Sequence, residues 1–279
     1  MGFTADEAER LARELEGLAW VRKLPATNPY ERLRAEAEGA LFVVWRSGKL
    51  SYQGPQARAV LEEIAQQAGL RPSPDGPTEV GSDEAGKGEW LGPMVAAAVA
   101  VRPGQHFELR LDGVRDSKDL SGEARTLLVE RIRAHAAAAN VVVIGPKRFN
   151  ELWDELHARG QNLNDLLWWA HRKALEPVLG AVAKDTAVRV VLDEFDRTRR
   201  AADQLRAALP AHAKVEQRPR GEEVLAVAAA SVLARAERDR QVEQLRARFA
   251  LPADLAPEQA RAHPSAAEFA KLAWLRPRA

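Results

Sequence analysis

The 279-residue chain contains no cysteine. That excludes structural disulfides, a thiolate nucleophile and cysteine-ligated zinc or iron–sulfur centres together, and leaves oxygen and histidine as donors for any metal. Aromatic residues are sparse at 6%, and the two tyrosines, Tyr30 and Tyr52, both lie in the first quarter of the chain. Neither sign of charge prevails: 41 basic residues against 40 acidic leave a net charge of +1. Bulk attraction to nucleic acid is therefore not indicated, and any such contact must come from local patches. Long apolar runs are missing as well. None approaches the roughly 20 residues of a bilayer span, and the opening MGFTADEAERLAREL is acidic and amphipathic rather than basic and then apolar, so a cytoplasmic protein with no membrane contact is expected. What is present, 46% hydrophobic and 29% charged residues, suits a soluble globular chain with one large domain and a smaller appendage.

Thr4 and Glu7 form a capping box ahead of Leu11, Leu15 and Leu18 at helical spacing, which predicts an opening helix. ERLRAEAEG and ALFVVWRSGKLSYQG read as an antiparallel sheet with a turn at Ser47-Gly48, and PQARAVLEEIAQQAG as a helix between Pro55 and Gly69. The breaker-rich RPSPDGPTE marks a linker at 71–79, separating a domain of residues 1–70 from one of residues 80–279. Beyond it, VGSDEAGKGEWLGPMVAAAVAV reads as strand, glycine-rich turn, strand; SGEARTLLVERIRAHAAAA as a helix; and NVVVIG as a strand. Residues 162–179 read as a helix, VRVVLDEF as a nearly unbroken apolar strand ending in acids, and residues 223–249 as a long helix. The expected class is α/β with buried central strands.

Chemistry concentrates at Gly81-Ser82-Asp83-Glu84-Ala85-Gly86-Lys87-Gly88. A phosphate-binding loop fits the spacing of Gly81, Gly86 and Lys87, but Gly88 supplies no hydroxyl for magnesium, and two carboxylates inside the loop would repel phosphate. The other reading takes Asp83 and Glu84 as hard oxygen ligands for a divalent metal, with residues 86–88 on a nucleic-acid backbone. Asp-Glu alone carries no information, since the pair recurs at Asp6-Glu7, Asp154-Glu155 and Asp193-Glu194. Its place at a strand end before two glycines is what distinguishes the copy at 83–84. Adjacent strand residues point to opposite faces, so both acids reach one site only if the strand bends or ends there.

Asp193 also terminates an apolar strand, where α/β folds gather ligands, or else caps the helix expected after it. Glu222-Glu223 precede the small-residue run LAVAAASVLAR, either as first-turn acids complementing a helix dipole or as ligands. His171, following Trp168 and Trp169 on a helix, reads as structural.

Four segments in order, GSDEAGKGEWLGP, DSKDLS at 116–121, LDEF and GEEVLAVAAASVLAR, resemble the type 2 ribonuclease H family over most of residues 80–240. WRSGKLSYQG is similar to the small TATA-box-binding-protein-like domain that precedes the catalytic domain in the HIII branch, and QNLNDLLWWAH resembles a further segment of that branch. The resemblance implies an RNase H-like mixed sheet flanked by helices, preceded by a small α+β domain with an antiparallel sheet. It also implies an endonuclease that cuts the RNA strand of RNA–DNA hybrids, leaving 5′-phosphate and 3′-hydroxyl ends, and a monomer is expected. Carried over by position, Asp83, Glu84, Asp193 and Glu222 would be its catalytic acids and the ligands of two Mg2+ or Mn2+ ions, with Glu223 taking the last place under a one-residue shift. Expected substrate contacts are Gly86, Lys87 and Gly88, with Ser117 and Lys118 of DSKDLS. Lys87 departs from the arginine usual in HII proteins and from the small residue of many HIII proteins, which leaves substrate preference open. HII-like incision at single ribonucleotides in duplex DNA, and hybrid binding without cleavage, are the competing readings. The lack of a tyrosine after residue 52 argues against the former.

Four crowded acids should raise one another's pKa values, so activity should fall at acid pH. Positive charge for phosphates is available at Lys147-Arg148, Arg197, Arg199-Arg200, Arg218 and Arg220. Trp45 and Tyr52, near Arg46 and Lys49, offer a second hybrid-binding surface or simply a folded core.

Overall fold

The computed structural model describes residues 5–70, 75–114, 122–193 and 213–275, apart from the side chain of Glu222. Thr4, Ser117, Lys118, Arg197, Arg199 and Arg200 lie outside the described residues. The chain forms two compact units, one joining the residues up to Gly76 with Arg102–His135 and the other joining Pro77–Val101 with those from Ala136 onward.

In the first unit, helix α1 (Ala5–Gly17) precedes strands β1 (Arg22–Leu24), β2 (Glu31–Ala37), β3 (Ala40–Trp45) and β4 (Leu50–Gln53), and helix α2 (Ala57–Gln67) follows. The strands pair antiparallel in the order β1-β2-β3-β4. The alternation read in ERLRAEAEG is the mechanism: Leu33, Ala35 and Ala37 point inward with Phe42 and Val44, and Leu11, Leu15, Leu61 and Ile64 close the core over them. The turn falls at Ser47-Gly48, where Gly48 takes φ 86. Tyr52 lies opposite Phe42 and packs on this core, whereas the Trp45 indole donates to Ser51 Oγ at 3.0 Å on the other face. The pleat therefore separates the two aromatics that proximity in sequence had placed on one surface.

Helices α3 (His106–Leu111) and α4 (Gly122–His135) pack with this unit, although they follow the linker in sequence. Phe107 and Leu111 enter its core. The fully buried Asp112 carboxylate accepts from Arg58 of α2 at 3.3 Å and from Arg131 and His135 of α4 at 2.7 and 2.6 Å, tying three helices through one charge.

The second unit contains β5 (Thr78–Ala85), β6 (Met94–Val101), β7 (Ala138–Ile144), helices α5 (Pro146–Ala158) and α6 (Leu163–Ala181), β8 (Val188–Asp193), β9 (Ala213–Arg218) and helix α7 (Leu225–Arg248). Short helices α8 (Pro257–Ala262) and α9 (Ala266–Phe269) follow. The sheet order is β7-β6-β5-β8-β9, antiparallel from β7 to β5 and parallel from β5 to β9. All eight residues of β6 are buried because α6 covers one face and α7 the other, and that is why MVAAAVAV lacks polar alternation. This is the mixed α/β sheet with flanking helices that the resemblance implied.

The helix expected to run through Ala139 stops at His135, and Ala138 and Ala139 instead pair with Ala100 and Val99 of β6. Alanine's helix preference of a few tenths of a kcal/mol yields to a seven-residue ladder. Strand β9 gave no signal in sequence because only Val215 of AKVEQR is buried.

Close approach of α7 to β5 requires Gly81. A Cβ there would stand 2.1 Å from the Val227 amide nitrogen and 2.6 Å from the Ala226 carbonyl oxygen, and backbone cannot yield as a side-chain tip can. Gly81→Ala should lower stability by about 3 kcal/mol, read as a fall in the urea midpoint with an unchanged m-value. An unaltered midpoint would mean that the helix does not press on the strand.

Candidate active site

Strand β5 remains regular to its end, pairing with β6 through Asp83↔Ala97, Glu84↔Ala96 and Ala85↔Val95. There is no bend, so the alternation of a strand applies. Asp83 points toward α7, where Ser231 hydrogen-bonds its carboxylate, and its Oδ1 also accepts from the Glu84 amide at 2.8 Å. Glu84 points toward α6 and meets His171 Nε2 at 3.1 Å and Lys87 Nζ at 2.6 Å.

Asp193 ends β8. The parallel register Gly81↔Val191, Ser82↔Leu192 continues by one step to place it beside Asp83 on the α7 side, where Val191 packs against Val227. Its Oδ1 accepts from the Gly221 amide at 2.8 Å, and a Cβ on Gly221 would fall 2.8 Å from the Asp193 Cα. The 3₁₀ turn Gly221–Glu223 is thereby fixed against the strand end. Glu223 is engaged by Arg218 at 3.2 Å and Arg220 at 2.8 Å. Glu222 follows the residue that touches Asp193, and its side chain lies outside the described residues.

The electrostatics divide the two neighbouring acids. Burial raises the Asp83 pKa from 3.8 to about 6, the Glu84 and Asp193 charges push the same way, and the hydrogen bonds from Ser231 and the Glu84 amide only partly offset them. Burial also acts on Glu84, but the hydrogen bond and charge of His171 and the Lys87 ammonium outweigh it and hold the carboxyl at about 2. Lys87 is raised in turn: burial opposes its charge, and Glu84, Asp83 and Asp193 together exceed that effect. The site carries net negative charge with one cation at its edge.

His171 is completely buried and meets Ser82 Oγ with Nδ1 at 2.7 Å while Nε2 faces Glu84; Ser82 Oγ also donates to the Ala97 carbonyl at 2.8 Å. A proton on Nε2 makes the carboxylate contact attractive, so the imidazole orients Glu84 as well as filling the core. Ser82 and His171 were missed as site residues; the available clue was Ser82 two positions before Glu84, hence on the same face of the strand. Ser231 and Gly221 gave no comparable clue.

Among the described residues no three acidic or histidine side chains are grouped closely enough to hold a metal ion. Of the expected ligands, the structure brings Asp83 and Asp193 together and directs Glu84 to His171 and Lys87. Gly86 takes φ 81 in the loop that follows, and added bulk there would meet the Pro93 carbonyl oxygen at 2.3 Å. Lys147 pairs with Glu268, and Arg148 with Glu151 and Glu155, so those cations already have partners.

A family model described as ribonuclease HII matches residues 80–255. A curated ribonuclease HIII of Protochlamydia amoebophila is 31% identical over 258 residues, covering 88% of this chain and 80% of that protein. The crystal structure of Bst-RNase HIII in complex with Mn2+ is similar with a TM-score of 0.62 at 23% identity, covering 98% of this chain and 94% of that one. For RNase H3 of Aquifex aeolicus the TM-score is 0.57 at 22% identity, with 98% and 99% covered. At that identity the two structures speak for the fold.

Without metal, Asp83→Asn should stabilise the protein. The carboxyl binds its proton more tightly folded, at about 6, than unfolded, near 3.8, so its charge penalises the fold above pH 6 and ceases to do so once both states are protonated. The melting temperature of Asp83→Asn should exceed that of the wild type at pH 8, by up to about 3 kcal/mol in stability, and the gap should close toward pH 4. Parallel curves from pH 8 to pH 4 would contradict the raised value.

Proposed function

Since this chain belongs to the ribonuclease HII family, a family of endoribonucleases, and to its HIII branch, we propose that it hydrolyses the RNA strand of RNA–DNA hybrids with two divalent metal ions, leaving 5′-phosphate and 3′-hydroxyl ends. The observation that carries the reading is the convergence of Asp83 and Asp193 at adjacent strand ends, where burial, with the charges of Glu84 and Asp193 added, lifts Asp83 to about 6. Carboxylates brought together with only Lys87 among the described cations acting on them suit hard divalent ions, Mg2+ or Mn2+.

Asp83 and Asp193 would hold the ions together with Glu222, and Glu84 would join them by turning from the His171 and Lys87 contacts that direct it toward α6. Support for Glu222 over Glu223 comes from the bond between Gly221 and Asp193 and from the engagement of Glu223 by two arginines. When bound, the ions would activate water and neutralise charge on the leaving oxygen. His171 and Lys87 keep Glu84 ionised at neutral pH. The residues of the glycine turn, Gly86, Lys87 and Gly88, would approach the ribose and phosphate, with backbone amides reading the 2′-hydroxyl that separates RNA from DNA. Ser117 and Lys118 would add contacts from DSKDLS.

The division of labour is a substrate-binding domain at 1–70, a linker at 71–79 and a catalytic domain at 80–279. The packing divides the chain near the proposed linker, but Arg102–His135, inside the proposed catalytic domain, packs with the N-terminal unit. No described helix is long and apolar enough to cross a membrane; the enzyme proposed is a cytoplasmic monomer.

The experiment is cleavage of two labelled duplexes, a continuous hybrid and a DNA duplex with one ribonucleotide, under titration with Mg2+ and with Mn2+. Cuts along the hybrid are expected, and Asp83→Asn should lower kcat by about three orders of magnitude, several kcal/mol of lost charge stabilisation, with folding intact. Incision of the lone-ribonucleotide duplex only would favour the HII-like reading. Tight hybrid binding without turnover in either metal would reduce the chain to a binding protein.

A further inference from the structure

The loop that links β5 to β6 is held by a segment far away in sequence. Gly92 N donates to the Phe269 carbonyl at 2.9 Å, Lys271 N donates to the Trp90 carbonyl at 2.7 Å, and Leu91 forms an antiparallel bridge with Ala270. Two side chains of the same segment also reach the loop. The fully buried Lys271 ammonium donates to the Gly92 carbonyl at 2.6 Å and stands 5.6 Å from the centroid of the Phe149 ring. The Trp274 indole donates to the Lys87 carbonyl at 2.9 Å and packs edge-on against Phe149 and Trp153, with centroids 5.3 and 4.8 Å apart. Asn150 of α5 anchors the segment, donating to the Ala270 carbonyl and accepting from the Leu272 amide, both at 2.9 Å. This strap lies beyond the residues 80–255 matched by the family model.

Lys87 is thus gripped at both ends, its carbonyl by Trp274 and its ammonium by Glu84 at 2.6 Å. Apart from the strap, the loop is tied by an ion pair of Glu89 with Arg238 and by a long hydrogen bond of 3.4 Å from Glu89 N to the Gly86 carbonyl. Gly86 and Gly92 take φ 81 and 84, and nothing lies within 4 Å of where a Gly88 Cβ would be, so an unrestrained backbone there would sample many conformations. A lysine adds a flexible four-carbon stem to that freedom.

We propose that Trp274, together with Lys271, is a positioning residue for substrate binding, holding the Lys87 backbone so that the glycine turn is preformed for the nucleic acid. The proposal rests on the reading of residues 86–88 as substrate contacts. Ordering the turn in the free enzyme removes a cost that substrate binding would otherwise carry, so the effect falls on KM rather than on kcat. The Lys271 bond persists if the amine loses its proton, since a neutral amine still donates.

Three full-length variants test this on hybrid cleavage. Trp274→Phe keeps a ring against Phe149 and Trp153 and removes the indole N–H; KM should rise about fivefold, the equivalent of one hydrogen bond, with kcat within about twofold. Lys271→Met should move KM in the same direction. Trp153→Phe trims the same aromatic cluster without touching the loop and should leave KM where it is. Unchanged KM in Trp274→Phe, or an equal rise in Trp153→Phe, overturns the proposal in favour of plain packing. If the wild-type chain cleaves no hybrid, it is the hydrolase reading that fails. Hybrid affinity by fluorescence anisotropy then tests positioning alone, with a weaker Trp274→Phe complex expected and an equal one overturning it.

Discussion

Helix α7 lies against β5 at backbone distance, and most of what makes the second unit chemically unusual follows from that approach. Gly81 is the point of contact. From it, strand alternation carries Asp83 to the same side two residues later, where Ser231 of the helix meets its carboxylate. The 3₁₀ turn that leads into α7 is joined to the end of β8 through the Gly221–Asp193 bond. One helix thus sets both aspartates and delivers Glu222 to the neighbourhood, a use of close packing that no larger residue at position 81 would permit.

The two acids of the Asp-Glu pair show how environment assigns different roles to similar groups. Asp83, raised by burial and then by like charge, holds its proton to about 6, while Glu84, equally removed from water, is held near 2 by His171 and Lys87. Desolvation acts on both; the sign of the neighbouring charge decides the result. Of the two, only Asp83 carries an electrostatic cost to the fold at neutral pH.

Long-range ties recur in both units. Asp112 gathers α2 and α4 around one buried carboxylate, and the strap near residue 270 reaches back about 180 positions to Gly92 and Lys87. Each uses a charged or polar side chain inside apolar surroundings, where an unmet hydrogen bond is costly and a met one is specific.

Much was legible in the sequence because it was local or periodic. The alternation of ERLRAEAEG, the Ser47-Gly48 turn, the apolar β6 and β8 and the glycine-flanked acids at 83–84 were all readable from spacing. Strand pairing was not: Ala138 and Ala139 read as helix until the β6 ladder claimed them, and β9 was invisible because an edge strand buries little. Nor could spacing reveal that Asp83 and Glu84 diverge, since that depends on whether β5 bends, and its pairing with β6 keeps it straight. His171, Ser231, Gly221 and Trp274 came to contact Glu84, Asp83, Asp193 and Lys87 only when the chain folded back on itself. Local sequence determines backbone preference and the chemistry on offer, whereas which carboxylate meets which cation is decided by contacts between segments many tens of residues apart, whose free energy exists only in the assembled structure.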